Sequence, residues 1–463
     1  MESRNFSNIP LERRAPGCYV PLTPVQCQAW NAFSKSSKGA VRIDAASARI
    51  FGPLSIGLLQ KSIDAVVRRH ESLRSRIVLD GDIPQPKIDE ACESILEVVD
   101  VSGLSPLDSD AAAQLLSREF VGLRYDLSAG PPVAAKVLRL SEQKHVLLMA
   151  IDHTFMDAAS CGIIRREIWH LYNQGVRGLD ISTPKLQLEF SDYAVWLQQT
   201  RDAWLGEHEP YWRRRLLGAT YEPPPDDRLL GVADPKWDQP TITLSAALSG
   251  RLREISWRER MPLAMAVLTV LVAMVWRWFN QGDFVVQFLY HGRCSQPKLR
   301  NMVGFLANSL YLRIQVPASS SFIELLRLVN LEFLAAREHQ DYNRVPDLIP
   351  EFKTALHFNW ISTSWSEWPA SNGEAVGPLK IHPFLIPLFL EVEANVTWRS
   401  LIAFVRSGNF DVGSGEGINI EMPYMTHVFA SDTMDLVKTH LPRFAEELVQ
   451  RPLSPITAAV FRD

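Results

Sequence analysis

The stretch of this chain best equipped for chemistry is Ala150-Ile151-Asp152-His153-Thr154-Phe155-Met156-Asp157-Ala158-Ala159-Ser160, which sets a histidine between two aspartates. An imidazole has an ordinary pKa of about 6.5, so His153 can serve as a general base near neutral pH, a role typically worth about 100- to 10,000-fold in rate. Asp157 stands where a helix is due to begin and reads as an N-cap. Asp152 reads either as an orienter of His153 or as a solvated loop carboxylate.

The flanking residues say how such a turn is held. His145 to Met149 is an apolar, strand-like run, and from Cys161 to Tyr172 the apolar residues Ile163, Ile164, Ile168, Trp169, Leu171 and Tyr172 fall at helical spacing. A polar turn between two buried elements has a fixed backbone and a side chain that can face a cavity. Val133 to Leu140 is expected to pair with Lys144 to Ile151 across a short turn and so deliver the chain to His153. Farther upstream, Thr23, Pro24 and Gln26 occupy the cap, first and third positions of a helix start. Helices are also expected over Ile56 to His70 and Asp110 to Val121, and strands over Val41 to Phe51 and Ile95 to Val101.

Gly, Ser and Thr gather between Asn173 and Pro184, a natural boundary, so two domains are expected, residues 1–180 and 181–463. In the second, helices are expected at Phe190 to Leu217, Leu248 to Arg258, Pro262 to Trp278, Phe322 to His339 and Leu436 to Leu448. Strands are expected at Asp283 to Leu289, Gly304 to Val316, Thr354 to Trp360 and Phe389 to Phe404. Alternation of strands and helices in both halves gives an α/β or α+β fold in two lobes.

Composition narrows the partners. A net charge of −4 over 463 residues argues against nucleic acid and against a polybasic membrane contact. Cys18, Cys27, Cys92, Cys161 and Cys294 are scattered and odd in number, which fits a reducing, cytoplasmic setting. Arg4, Arg13 and Arg14 have no apolar core behind them, so a cleaved secretory signal is not expected. Pro262 to Trp278 falls short of the roughly 18 to 20 residues of a membrane span and reads as a buried helix. The sequence contains no GxxxxGK[ST] loop, HExxH, CxxC pair, GxGxxG or GxSxG elbow.

Six short runs, in order, resemble one family, the condensation domains of nonribosomal peptide synthetases within the chloramphenicol-acetyltransferase-like acyltransferases. Asp152 to Ala158 is similar to that family's HHxxxDG, with Asp152 in place of the first histidine and Ala158 in place of the glycine. Leu22 to Gln26 resembles its first motif, Arg69-His70-Glu71-Ser72-Leu73-Arg74 its RHExLR, and Ser191 to Trp196 its YxDYAVW. Val303 to Ser309 resembles VGxFVNT, and His339-Gln340-Asp341-Tyr342 resembles HQDYPF.

The resemblance implies two acetyltransferase-like lobes in a V, with the HHxxxDG turn at their junction. It implies an acyl thioester, carried on the phosphopantetheine arm of an acyl or peptidyl carrier protein, passing to a small-molecule amine or alcohol. It assigns the chemistry to His153 and a structural ion pair to Asp157, with Arg293 as partner, and leaves Asp152 as support. Asn308, Asn359, Trp360 and Ser362 are implied candidates for lining a tunnel. Nothing is expected to be bound permanently, and activation and tethering of the acyl group fall to other polypeptides. A silent relative that recruits carrier proteins or tailoring enzymes is the competing expectation. An acyl-CoA-dependent transferase is another, although the DFGWG-like motif of that branch is lacking and Asp341-Tyr342-Asn343 matches it poorly.

Overall fold

In a computed structural model the described residues are 9–35, 40–44, 47–90, 96–122, 124–224, 236–293, 296–340, 345–362, 376–384, 400–408 and 417–456. They form two compact units, each a mixed α/β assembly. The first takes Met1–Trp204, His291–Ala307 and Ser364–Phe389; the second takes Leu205–Tyr290, Asn308–Thr363 and Leu390–Asp463. A single cut after residue 180 therefore does not describe them. The reason is tertiary: the stretch after His291 is fastened to the first unit by Arg293, and Lys380–Pro383 pairs with Ala48–Phe51 in that unit's sheet.

The first unit is organised on strand Lys144–Asp152, whose residues from His145 onward are all buried. One edge pairs along its length with Val133–Ser141. The other edge is shared: Ala48–Phe51 covers Lys144 to Leu147, and Ala40–Asp44 covers Ala150 to Asp152. The expected strand over Val41 to Phe51 is thus two strands, and near the break the Ser47 hydroxyl accepts the Met149 N–H. Helices Ile56–Arg69 and Ala158–Val176 pack with Leu147, Met149 and Ile151, while helix Pro106–Gly122 packs with Val146, Leu148 and Ala150. Apolar cover on both faces explains why this strand reads as a continuous apolar run rather than an alternation.

The second unit holds a six-stranded sheet in the order Thr241–Leu244, Gly417–Glu421, Leu401–Gly408, Leu356–Ser362, Asp283–Tyr290, Asn308–Gln315. Helix Leu263–Phe279 runs through its core, with Met265 to Trp276 all buried. Such a helix is apolar all round because no face meets water. Among the described residues no single helix is long and apolar enough to cross a membrane. Helix Phe322–Glu338 opens on a capping box between Ser321 and Glu324.

The expected strand from Gly304 begins instead at Asn308, because the N–H groups of Leu306 and Ala307 are turned to the Asp157 carboxylate rather than to a neighbouring strand. Helix Pro24–Lys35 starts as the sequence predicts: the Thr23 N–H donates to Gln26 Oε1 at 3.1 Å and the Gln26 N–H to Thr23 Oγ1 at 3.4 Å.

Candidate functional site

The turn after strand Lys144–Asp152 is held from several sides. The Asp152 N–H donates to the Pro132 carbonyl at 2.9 Å, and its carboxylate accepts the Thr154 N–H at 2.7 Å. Asp152 is 2% exposed, so the solvated-loop reading is wrong; its carboxylate folds the turn back on itself. Gln26, already in the capping box, donates its Nε2 to the Thr154 carbonyl at 3.2 Å. Phe155 is buried against Leu22, Ile77 and Leu127. The first motif of the chain thus supports the histidine turn directly, a contact that spacing could not reveal.

His153 is half-buried, and its Nδ1 lies 2.9 Å from the Met156 carbonyl oxygen. A carbonyl can only accept, so Nδ1 carries the proton of that bond and neutral His153 keeps a lone pair on Nε2. Phe305 covers the ring, with centroids 4.6 Å apart and planes inclined by 32°.

Asp157 is the reverse case. Its Oδ1 accepts from the Ser160 N–H at 3.0 Å, the Ser160 hydroxyl at 2.9 Å and Arg293 Nη2 at 2.8 Å. Oδ2 accepts from Arg293 Nη1 at 2.7 Å and from the N–H groups of Leu306 and Ala307, both at 3.0 Å. The carboxylate is at once the cap of helix Ala158–Val176 and one half of a bidentate ion pair whose members are 1% and 5% exposed. Arg293 also donates to the carbonyls of His291, Met302 and Gly304. Next to it the imidazole of His291 is pushed down, first by burial and then by Arg293.

Two glycines make this close approach sterically open. A Cβ on Gly304 would lie 2.1 Å from the Phe190 ring, and one on Gly292, whose φ is +68°, would lie 2.1 Å from the Leu306 carbonyl oxygen. Ala158, in place of the family's glycine, is the first residue of its helix and has no positive φ, so the alanine costs no backbone strain there.

The neighbouring motifs brace the same unit. His70 bonds Glu167 at 2.8 Å, and the Ser72 hydroxyl donates to the Val303 carbonyl at 2.9 Å. Arg14 bridges Glu71 and Asp192, each at 3.0 Å, and the Ser191 hydroxyl donates to Glu71 at 2.8 Å. Trp196 is buried and donates its Nε1 to the Ile9 carbonyl at 2.8 Å. Nothing in the spacing points to Arg14, which joins two motifs from an extended arm.

His153, Asp152, Asp157 and Arg293 are thus brought together in the first unit. Asn308, Asn359 and Trp360 belong to the second, where Asn308 pairs with Tyr290 and Asn359 with Leu289 at one end of its sheet. Asn308 donates to the Gln340 carbonyl at 2.6 Å, and Trp360 stacks on Phe358 toward the core. The Ser362 side chain lies outside the described residues, as do Asp341 to Asn343, Trp365, Cys92 and Cys294. Cys18, Cys27 and Cys161 form no disulfide among the described residues. Among the described residues no group of three His, Cys, Asp or Glu could hold a metal ion.

Residues 18–349 match the family model described as Condensation domain. The phosphinothricin tripeptide synthetase PhsC of Streptomyces viridochromogenes is 30% identical over 343 residues, which cover 73% of this chain and 32% of that protein, so the chain spans about a third of this relative. Among solved structures, the X-domain from teicoplanin biosynthesis is similar at a TM-score of 0.77 and 22% identity, covering 97% of this chain and 99% of that one. SgcC5 from Streptomyces globisporus is similar at 0.77 and 22%, covering 94% and 100%. With the six motifs in order and the family model matching most of its length, this chain belongs to the condensation-domain family of nonribosomal peptide synthetases.

Proposed function

We propose that this condensation domain moves an acyl group from a thioester on a carrier protein's phosphopantetheine arm to an amine or an alcohol, forming an amide or an ester. The observation that carries the reading is the bond from His153 Nδ1 to the Met156 carbonyl, which leaves Nε2 with the lone pair. As the acceptor's N or O attacks the thioester carbonyl, its proton passes to Nε2. Collapse of the tetrahedral adduct breaks the C–S bond, and the departing thiolate takes the proton from the imidazolium. The acyl group is transferred, the thiol is regenerated, and the imidazole returns neutral.

The acceptor sets how much the base matters. An α-amine with a pKa of about 8 is partly neutral at physiological pH and attacks with little help, whereas an alcohol depends on the base heavily. The SgcC5 structure holds (R)-(-)-1-(2-naphthyl)-1,2-ethanediol and a starter condensation domain of rhizomide synthetase holds Leu-SNAC, which bears an α-amine, so both acceptor classes belong in the test. Loaded carriers incubated with a panel of amines and alcohols, followed by intact mass, test the reading. Product from the wild type and its loss in His153→Ala, with the circular dichroism spectrum retained, is the expected result; wild-type turnover in the variant overturns it.

A second reading, a silent domain that recruits carrier proteins or tailoring enzymes, draws on Asp152, which occupies the place of the family's first histidine. The X-domain of teicoplanin biosynthesis has been solved in complex with OxyB. Carrier binding without product across the whole acceptor panel would favour it.

A further inference from the structure

Within the first unit a cavity of about 430 Å³ opens beside the last turn of helix Ile56–Arg69. Its wall carries Arg13, Arg68, Arg69, Arg74 and Lys185 against two carboxylates, Glu71 and Glu189. Basic residues in a last helical turn are ordinary, since they face the negative end of the helix dipole, and that accounts for Arg68 and Arg69. It does not account for Arg13, Arg74 and Lys185, which reach the same cavity from three other segments of the chain.

Several of these groups are already fixed. Arg69 donates to the Pro184 carbonyl at 2.7 Å and is ion-paired with Glu167 at 3.3 Å, and Arg13 donates to the Leu186 carbonyl at 3.0 Å, so the loop that closes one side is tied down by the guanidinium groups themselves and the surplus charge rests on Arg13, Arg68, Arg74 and Lys185. Arg74 bonds the Asp89 carbonyl through Nη1, while its buried Nε has no hydrogen-bond partner among the described residues. Arg68 and Lys185 are exposed and make no hydrogen bond or ion pair among the described residues. On the acidic side, Glu71 is matched by Arg14 and by the Ser191 hydroxyl. The Glu189 carboxyl is pushed up to about 7, first by burial and then by Glu71, so near neutral pH it carries less than a full charge. Cations are therefore in excess in a space large enough for a small organic ligand.

We infer that this cavity binds a small phosphate-bearing molecule. Guanidinium groups and an ammonium lining one cavity suit the several oxygens of a phosphate, and a dianion offsets the surplus of positive charge. The phosphate could come from a free metabolite or from a phosphopantetheine; the second source leans on the proposed function, the first does not.

Calorimetric titration of the full chain at pH 7 and low salt, with inorganic pyrophosphate and separately with free phosphopantetheine, tests the inference. Saturable one-to-one binding of at least one probe is expected, weakened about tenfold or more in the double variant Arg68→Ala, Lys185→Ala. Both positions are exposed and unbonded among the described residues, so the circular dichroism melt of that variant should match the wild type. Glu189→Gln, which removes the partial negative charge that Glu189 carries at pH 7, should tighten binding modestly. Tighter pyrophosphate points to a free phosphate, and tighter phosphopantetheine to the arm. Absence of saturable binding for both probes, or equal affinity in the double variant, overturns the inference.

Discussion

Asp157 and His153 lie on one turn, yet they are treated in opposite ways. The carboxylate is 1% exposed and accepts six hydrogen bonds, from its own helix, from Arg293 and from two distant backbone N–H groups. The imidazole is half-buried, bonded through one nitrogen and covered by Phe305. Saturation at one position holds the backbone still, and that stillness is what lets the other carry a lone pair in a fixed direction. The second unit shows what full burial does to the same residue type. There His208 and His339 share a bond between their Nδ1 atoms at 2.8 Å, Tyr211 stacks on His339, and burial pushes His208 down to about 4.

The contrast can be broken from either side. Arg293→Ala strands a buried carboxylate and should destabilise the chain by about 3–5 kcal/mol, read by urea denaturation; turnover should fall with the fold. Asp157→Asn leaves the guanidinium unneutralised and should act in the same direction. His153→Ala should remove about 100- to 10,000-fold of turnover while costing only about 1 kcal/mol of stability, from the lost bond to Met156. A variant that lost both stability and turnover in the way Arg293→Ala does would erase the distinction between the two residues. Phe305→Ala should lose about 0.5–1.5 kcal/mol of ring contact with His153, in addition to the apolar burial it gives up against the cluster of Phe190, Trp196 and Leu299, and its effect on turnover should be smaller than that of His153→Ala.

The last effect is a slope with pH. Glu189 is 8% exposed and its carboxyl is raised from 4.5 to about 7, so between those values the folded chain holds a proton that the unfolded chain releases. The stability it contributes is present below about 4.5 and lost as pH rises through about 7. Melting temperatures of the wild type and Glu189→Gln should therefore diverge as pH rises, in favour of the variant.

Much of this was legible in the residues. The apolar run before Asp152 and the helical spacing after Ala158 define the two elements, and Thr23, Pro24 and Gln26 mark a helix start where one exists. The partnership of Asp157 with Arg293 came from family resemblance, since no local pattern links residues 136 positions apart. Other features were hidden for physical reasons. Gly304 to Ala307 has the apolar character of a strand, but its N–H groups serve Asp157. Lys380–Pro383 is too short and polar to announce itself, and it exists as a strand because Ala48–Phe51 offers an edge. The role of Asp152 turned on burial, which one sequence does not display.

The clasp between Asp157 and the backbone of Leu306 and Ala307 also has a meaning in time. During synthesis at about 5–20 residues per second, Arg293 leaves the ribosome roughly 7–27 s after Asp157, given the 136 residues between them. Through that interval the capping aspartate of the nascent chain lacks Arg293, its partner in the folded chain, and the strap of Leu306 and Ala307 that holds the turn. The turn that carries His153 therefore reaches its final geometry well after its own strand and helix have been made, and a ribosome that stalls between those two points leaves it unfinished.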